Sequence, residues 1–183
     1  MRVISGSAKG RNLKSPGAAT RPITDRVKEN LFNTQSVGSR VVNANVLDLF
    51  AGAGSVGIEA LSRGAPAAVF VESDAHAVRA LRENLSALGL ESRATVIRAD
   101  AVRALERLAA AGQRFAVVFI DPPYDSSQGP VTLAAITDGR CLDADAIVVV
   151  QHATKSPPPA GALAHWKARR FGGTTLTFLR SPA

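Results

Sequence analysis

From Val46 onward the chain repeats one rhythm, a short apolar run followed by a helix-length stretch, and this alternation constrains the fold more than any other feature. Residues 46–50 (VLDLF) read as a buried strand entering a glycine turn, 57–64 (GIEALSRG) as a helix ending at Gly64, and 67–72 (AAVFVE) as a second strand. Asp74 predicts an N-cap for AHAVRALRENLSALG, in which Val78, Leu81, Leu85 and Leu88 fall three or four apart and Gly89 marks the end. Strands are predicted at 94–100, 115–121 and 146–151, with a helix to about residue 111 after the first of them. Strands separated by helices of this length imply an α/β fold with a parallel sheet and right-handed crossovers. The rhythm breaks near the end. WKARRF (166–171), Gly172-Gly173 and TTLTFL (174–179) read as two strands in a tight hairpin, hence antiparallel.

Residues 1–23 stand outside the repeat. RVIS and GRNLK flank a Gly/Ser turn and suggest a basic β-hairpin extension, leaving 24–183 as the main domain. Thr24 predicts the cap of a helix, TDRVKENLFNTQ, with Val27 and Leu31 on its inner face. SPPPAG (156–161) reads as a stiff loop. At 183 residues, 46% hydrophobic and 20% charged, the chain has the composition of a soluble globular domain rather than a disordered one. No apolar run approaches the roughly 18–20 residues of a membrane span. The opening MRVISGSAKGR lacks an apolar signal core, so a cytoplasmic protein is expected. The single Cys141 excludes an internal disulfide and a cysteine-rich zinc site. With only His76, His152 and His165, far apart in sequence, no metal is expected.

The net charge of +7 is unevenly spread. Residues 1–40 hold eight Lys/Arg against two acids (+6), 152–183 hold five and no acids (+5), and 41–151 carry −4. Two basic ends on an acidic body suit a phosphate backbone, with salt-dependent binding. Simple solubility would explain the charge equally well.

Gly52, Gly54 and Gly57 form a G-x-G-x-x-G after the first strand, and Glu72 ends the next strand twenty residues after Gly52. That spacing satisfies a dinucleotide fingerprint, so an NAD-dependent oxidoreductase is an alternative. Two residues favour S-adenosylmethionine instead. Asp48, inside the strand end, would repel a pyrophosphate but suits the ammonium of a methionine moiety. Asp100, ending the third strand, could accept from an adenine amino group, although a helix N-cap explains it equally well.

The fourth strand ends in Asp121-Pro122-Pro123-Tyr124, at the carboxyl edge where open α/β sheets bind ligands. An exocyclic amine or amide nitrogen is a poor nucleophile because its lone pair is delocalised. The Asp121 carboxylate can accept one N–H and the Pro122 carbonyl the other. Pro122 is fixed in φ and biased to extended ψ by Pro123, which aims that carbonyl. Tyr124 can stack on a base drawn out of its helix.

Together these residues resemble the DPPY-type amino methyltransferases, and most closely the RsmD family. The resemblance is carried by ISGSAKGRNL, TRPITDRVKENLFN, VLDLFAGAGSVGIEALSRGA, FVESD and DPPY, and extends over nearly the whole chain. It implies a Rossmann-like class I methyltransferase fold, a seven-stranded, mostly parallel sheet with an antiparallel last strand. The implied activity is methylation of the exocyclic N2 of a guanine in 16S ribosomal RNA, on naked RNA or an assembling small subunit; a monomer is expected. Carried over by position, it puts Asp48, Ala51, Gly52 and Gly54 around the methionine end of S-adenosylmethionine, Glu72 and Ser73 at the ribose, and Asp100 and Ala101 by the adenine. Thr24, Asp25 and Arg26 open a helix resembling one that closes over the methionine carboxylate. Asp121, Pro122, Pro123 and Tyr124 would form the catalytic set. Arg2, Lys9, Arg11, Lys14 and Arg21 are expected to contact RNA, and removal of residues 1–20 to weaken RNA binding without unfolding the domain. Gln151 ends the fifth strand where the resemblance leads one to expect Glu, and is given no role; Ile23 also departs from the expected pattern. Adenine-N6 methylation of RNA or DNA is the nearest alternative, and a non-catalytic RNA-binding protein a more distant one.

Overall fold

The computed structural model describes residues 1–15, 23–33, 35–123, 127–138 and 141–182. Its frame is one seven-stranded sheet: β1 (Asn45–Leu49), β2 (Ala67–Glu72), β3 (Ala94–Arg98), β4 (Phe115–Ile120), β5 (Leu142–Ala153), β6 (Ala164–Phe171) and β7 (Thr174–Arg180). The strand order is β3-β2-β1-β4-β5-β7-β6. β1 to β5 are mutually parallel, and β7 enters antiparallel between β5 and β6. The expected seven strands with a reversed last strand are all present. The order changes direction at β1 and β4, so the carboxyl ends of these two strands open a crevice between their connections.

Helices cover both faces. α1 (Asp25–Phe32), α2 (Gln35–Val41), α3 (Ser55–Ser62) and α4 (Ala75–Leu88) close one face; α5 (Ala101–Ala110) and α6 (Gln128–Asp138) close the other. Strand alternation sorts the core accordingly. Val46, Val117, Phe119, Ile147 and Val149 meet α1–α4, while Leu47, Leu49, Val118, Ile120, Val148 and Val150 meet α5 and α6. α4 begins at the predicted cap, with the Ala77 amide donating to Asp74 at 2.8 Å, and ends at Gly89 with φ +66°.

Two helices differ from the sequence reading. The stretch predicted as one helix from Thr24 ends at Phe32, and α2 follows as a separate element. α6 was not expected at all: its QGPVTLAAITD carries Gly129 and Pro130 in the first turn and little helical periodicity. It forms because Thr132, Leu133 and Ile136 are buried against the sheet and α5.

The N-terminal segment is also more integrated than an extension. Its backbone pairs at a single Arg2–Asn12 bridge, supported by Leu13 N–H to the Met1 carbonyl and Val3 N–H to the Arg11 carbonyl, instead of forming long strands. Val3, Ala8 and Leu13 are buried in the same core as α1–α4. Removing residues 1–20 would take these three side chains out of the core, which speaks against the expectation that the truncation weakens RNA binding without unfolding the domain.

Candidate active site

The turn after β1 owes its shape to Phe50, which adopts φ +62°, and to two left-handed glycines, Gly52 and Gly54. A side chain on Gly52 would meet nothing within 4 Å, so the loop faces an open cradle. Gly57 serves packing: a Cβ there would lie 2.3 Å from the Phe70 ring, so α3 can sit on β2 only without one.

Asp48 is buried under this loop, and its Oδ2 accepts the Gly57 amide at 2.8 Å. Burial, and secondarily the nearby Glu72 charge, push its carboxyl up to about 7 in spite of that hydrogen bond. Glu72 ties the loop to β2: Oε2 accepts the Gly52 amide at 2.9 Å and Oε1 the Asp74 amide at 2.8 Å. Ser73 Oγ lies 3.5 Å from the same Oε1, and the Ala51 amide donates to the Val71 carbonyl. Asp100 caps α5, Oδ1 accepting the Val102 and Arg103 amides, with Ala101 buried next to it. These groups follow the ends of β1, β2 and β3 along one edge.

Asp121 begins where β4 ends, its amide donating to the Leu49 carbonyl. Alternation puts it on the α1–α4 face, as it does Asp48 on β1. The residue is half-buried with its carboxylate turned inward. Burial, then the Asp48 charge, push this carboxyl up to about 7, while a hydrogen bond from the Gln151 side chain acts the other way. Pro122 is buried and Pro123 exposed. Gly129 of α6 packs against Pro122, where a Cβ would come within 3.1 Å of its ring. Tyr124 and Arg21 lie outside the described residues.

The helix predicted to close over the cofactor is held near the glycine loop by Lys28, whose Nζ donates to Ser55 Oγ at 3.2 Å. Thr24 caps α1, its Oγ1 accepting the Val27 amide at 3.4 Å. Asp25 accepts from Arg2 Nε at 2.9 Å. Thr24 and Arg26 line a cavity of about 610 Å³ whose other wall is the β6–β7 turn, with Arg170, Phe171 and Gly172. Ala153 of β5 is in register with Thr174 of β7, so this turn lies on the same sheet edge as Asp121. Of the expected RNA-contacting residues, Lys14 reaches Glu83 at 2.8 Å and Arg11 the Ala87 carbonyl at 2.9 Å. The turn carrying Lys9 packs on Ser62, at the end of α3 farthest from the glycine loop. Among the described residues no group of His, Cys, Asp or Glu could hold a metal ion, and no helix is long and apolar enough to cross a membrane.

Residues 1–180 match the family described as Conserved hypothetical protein 95. The Escherichia coli (strain K12) protein named Ribosomal RNA small subunit methyltransferase D is 34% identical over 171 residues, 93% of this chain and 83% of that protein. The chain belongs to the RsmD family of methyltransferases. Among its relatives, YlbH of Bacillus subtilis (strain 168) is 41% identical over 183 residues, covering 98% of each chain. The solved structure of yhhF from Escherichia coli superposes with a TM-score of 0.85 at 31% identity, covering 100% of this chain and 98% of that one.

The RsmD-family cofactor, S-adenosylmethionine, fits the groups present. The open face at Gly52 gives a backbone a ligand can approach closely, and an ammonium group would give the buried Asp48 carboxyl a counter-charge.

A pH dependence follows from the two inward carboxyls. Each holds its proton in the folded chain up to about 7, whereas the unfolded chain releases it near 4. The folded state thus binds more protons between these values, and the stability they contribute is present below about pH 4 and lost as pH rises toward 7. Urea midpoints of the ligand-free protein should fall between pH 5 and pH 7.5, and Asp48→Asn should flatten the fall. An unchanged slope in that variant would show that Asp48 titrates normally.

Proposed function

We propose that this chain methylates the exocyclic N2 of a guanine in 16S ribosomal RNA. The observation that carries the reading is the Asp121 carboxylate, followed by two prolines, on the sheet face and edge it shares with Asp48. S-adenosylmethionine supplies an electrophilic methyl group on a sulfonium. Asp48 and the Ala51–Gly54 turn hold the methionine end, Glu72 and Ser73 the ribose, and Asp100, through the Oδ2 its cap leaves over, the adenine with Ala101 beside it. Thr24, Asp25 and Arg26 close this end of the cleft.

The chain's work on the substrate is alignment and proton handling. Asp121 accepts one N–H of the amine and the Pro122 carbonyl the other, turning the nitrogen lone pair toward the methyl donor. Asp121 would stabilise the positive charge that grows on nitrogen and take the proton the amine sheds as its bond to the methyl carbon forms and the carbon–sulfur bond breaks, the electron pair staying on sulfur. Pro123 stiffens the segment and Tyr124 stacks on the extruded base. An oxidoreductase would have no use for a carboxylate at position 48 or for the two prolines.

The RNA backbone lies across Arg2, Arg11, Lys14 and Arg21, with Lys9 at its far end. Surface ion pairs such as Lys14–Glu83 are weak in solvent and exchange readily for phosphate. The cavity between Arg26 and Arg170 extends the same track to the edge that carries Asp121. Arg170→Gln should raise KM for rRNA and reduce the salt slope of binding by about one. An unchanged slope would remove Arg170 from the interface. In this reading the protein acts as a monomer, without metal, in the cytoplasm where subunits assemble.

The test is transfer of labelled methyl to naked 16S rRNA, unmodified small subunits and duplex DNA, followed by nucleoside analysis. N2-methylguanosine from rRNA or subunits is expected. N6-methyladenine would overturn the target base while keeping the mechanism.

A further inference from the structure

Beside Asp121 stands a residue to which the sequence assigned no role. Ile120 of β4 is in register with Val150 of β5, so the next residues along these parallel strands, Asp121 and Gln151, are neighbours. Val117 and Phe119 on β4, and Ile147 and Val149 on β5, face α1–α4, and the two-residue period sends Asp121 and Gln151 the same way. Gln151 is buried, 7% exposed, and its side chain hydrogen-bonds the Asp121 carboxylate. An ionised carboxylate only accepts, so the Gln151 amide nitrogen is the donor.

We propose that Gln151 is a positioning residue: its amide holds one oxygen of the Asp121 carboxylate against β5, so that the other oxygen faces the substrate amine. The proposal deepens the methyl-transfer reading and rests on it. The terminal torsion of an aspartate is broad, so a carboxylate at a strand end needs an outside contact to fix its plane. Gln151 supplies one from an interior strand, flanked by β4 and by Leu176 of β7. The surroundings make a neutral donor the fitting choice. Asp48 on β1 repels the ionised form of Asp121, and Gln151 favours it. β1 otherwise offers the Leu49 carbonyl, which takes the Asp121 amide, and α6 offers Gly129 against Pro122. His152, next on β5, is engaged elsewhere, by the Ala153 carbonyl and Thr177 Oγ1 at 2.8 Å each.

The experiment compares Gln151→Met, Gln151→Glu and the parent, as full-length protein, for kcat against pH on 16S rRNA, KM, and affinity for S-adenosylmethionine. Gln151→Met keeps the length without the donor. Its kcat should fall about 10- to 100-fold, with cofactor affinity and KM within about twofold, and its acid limb should move to higher pH. Gln151→Glu can donate only while it holds a proton shared with Asp121, so it should work at low pH and lose activity as pH rises. Opposite pH trends in the two variants support positioning. Parent-like kcat in Gln151→Met, or equal losses with the parent's pH profile in both, would overturn it. Carbon-13 NMR titration of the Asp121 carboxyl reads the contact without activity. A higher midpoint in Gln151→Met supports the contact even if the parent proves inactive on rRNA, and an unchanged midpoint refutes it.

Discussion

Asp121→Ala should give a folded protein that binds S-adenosylmethionine within a few-fold of the parent yet transfers methyl about 10²- to 10⁴-fold more slowly, the span associated with losing a positioned acid or base. The expected separation follows from placement. Asp121 follows β4, whereas the groups proposed to hold the cofactor follow the ends of β1, β2 and β3, and Asp48 makes its own hydrogen bond to Gly57. Folding should not suffer, because an inward carboxyl held near 7 costs stability at pH 8. Single-turnover transfer to rRNA, with cofactor affinity measured in parallel, checks both halves. Turnover within threefold of the parent would remove Asp121 from the chemistry. Loss of cofactor binding would move it into the cofactor site.

Glu59→Ala should have the largest effect on stability. Glu59 is fully buried in α3; its carboxylate accepts three hydrogen bonds, from the Ile4 amide at 2.7 Å, the Ser5 amide at 3.0 Å and Arg63 Nε at 2.7 Å, and forms an ion pair with Lys28 Nζ at 3.6 Å. Truncation strands the Lys28 ammonium, whose proton is already held less tightly because of burial. Breaking a buried pair from one side typically costs about 3–5 kcal/mol. The urea midpoint should drop accordingly, and hydrogen exchange at Ile4 and Ser5 should accelerate. Glu59→Gln, which keeps the shape, should fall between the two. A loss below about 1 kcal/mol in Glu59→Ala would show that the network is dispensable.

The parallel core and the glycine turn at its carboxyl edge could be read from the sequence because each depends on local pattern. Asp74 caps α4 with its own side chain and Gly89 ends it with its own backbone, Gly57 answers a helix–strand contact, and the Gly172-Gly173 hairpin closes on itself. What escaped depends on distance in sequence. Glu59 reads as the polar face of GIEALS until residues 4 and 5 arrive to use it. Lys28 reads as an exposed helix residue until Arg2 and Ser55 surround it. The proposed role of Gln151 appears only when β4 and β5 are set in register, since nothing in the intervening twenty-nine residues marks the pair. Asp100 shows the reverse limit: its cap is visible in sequence and present in the fold, and an adenine contact must share the same carboxylate.

The Glu59 contacts also impose an order of events during synthesis. Ile4 and Ser5 are made 55 and 54 positions before the carboxylate that satisfies their amides, and Ala8 waits 54 positions for the Ser62 hydroxyl. At a typical elongation rate of about 5–20 residues per second, these three amides wait several seconds for their partners while α1, α2 and β1 are still being translated. Its apolar residues Val3, Ala8 and Leu13 are exposed for the same interval. The oldest part of the nascent chain therefore waits for about a third of the sequence to be made before it can seal the helical layer behind the glycine loop.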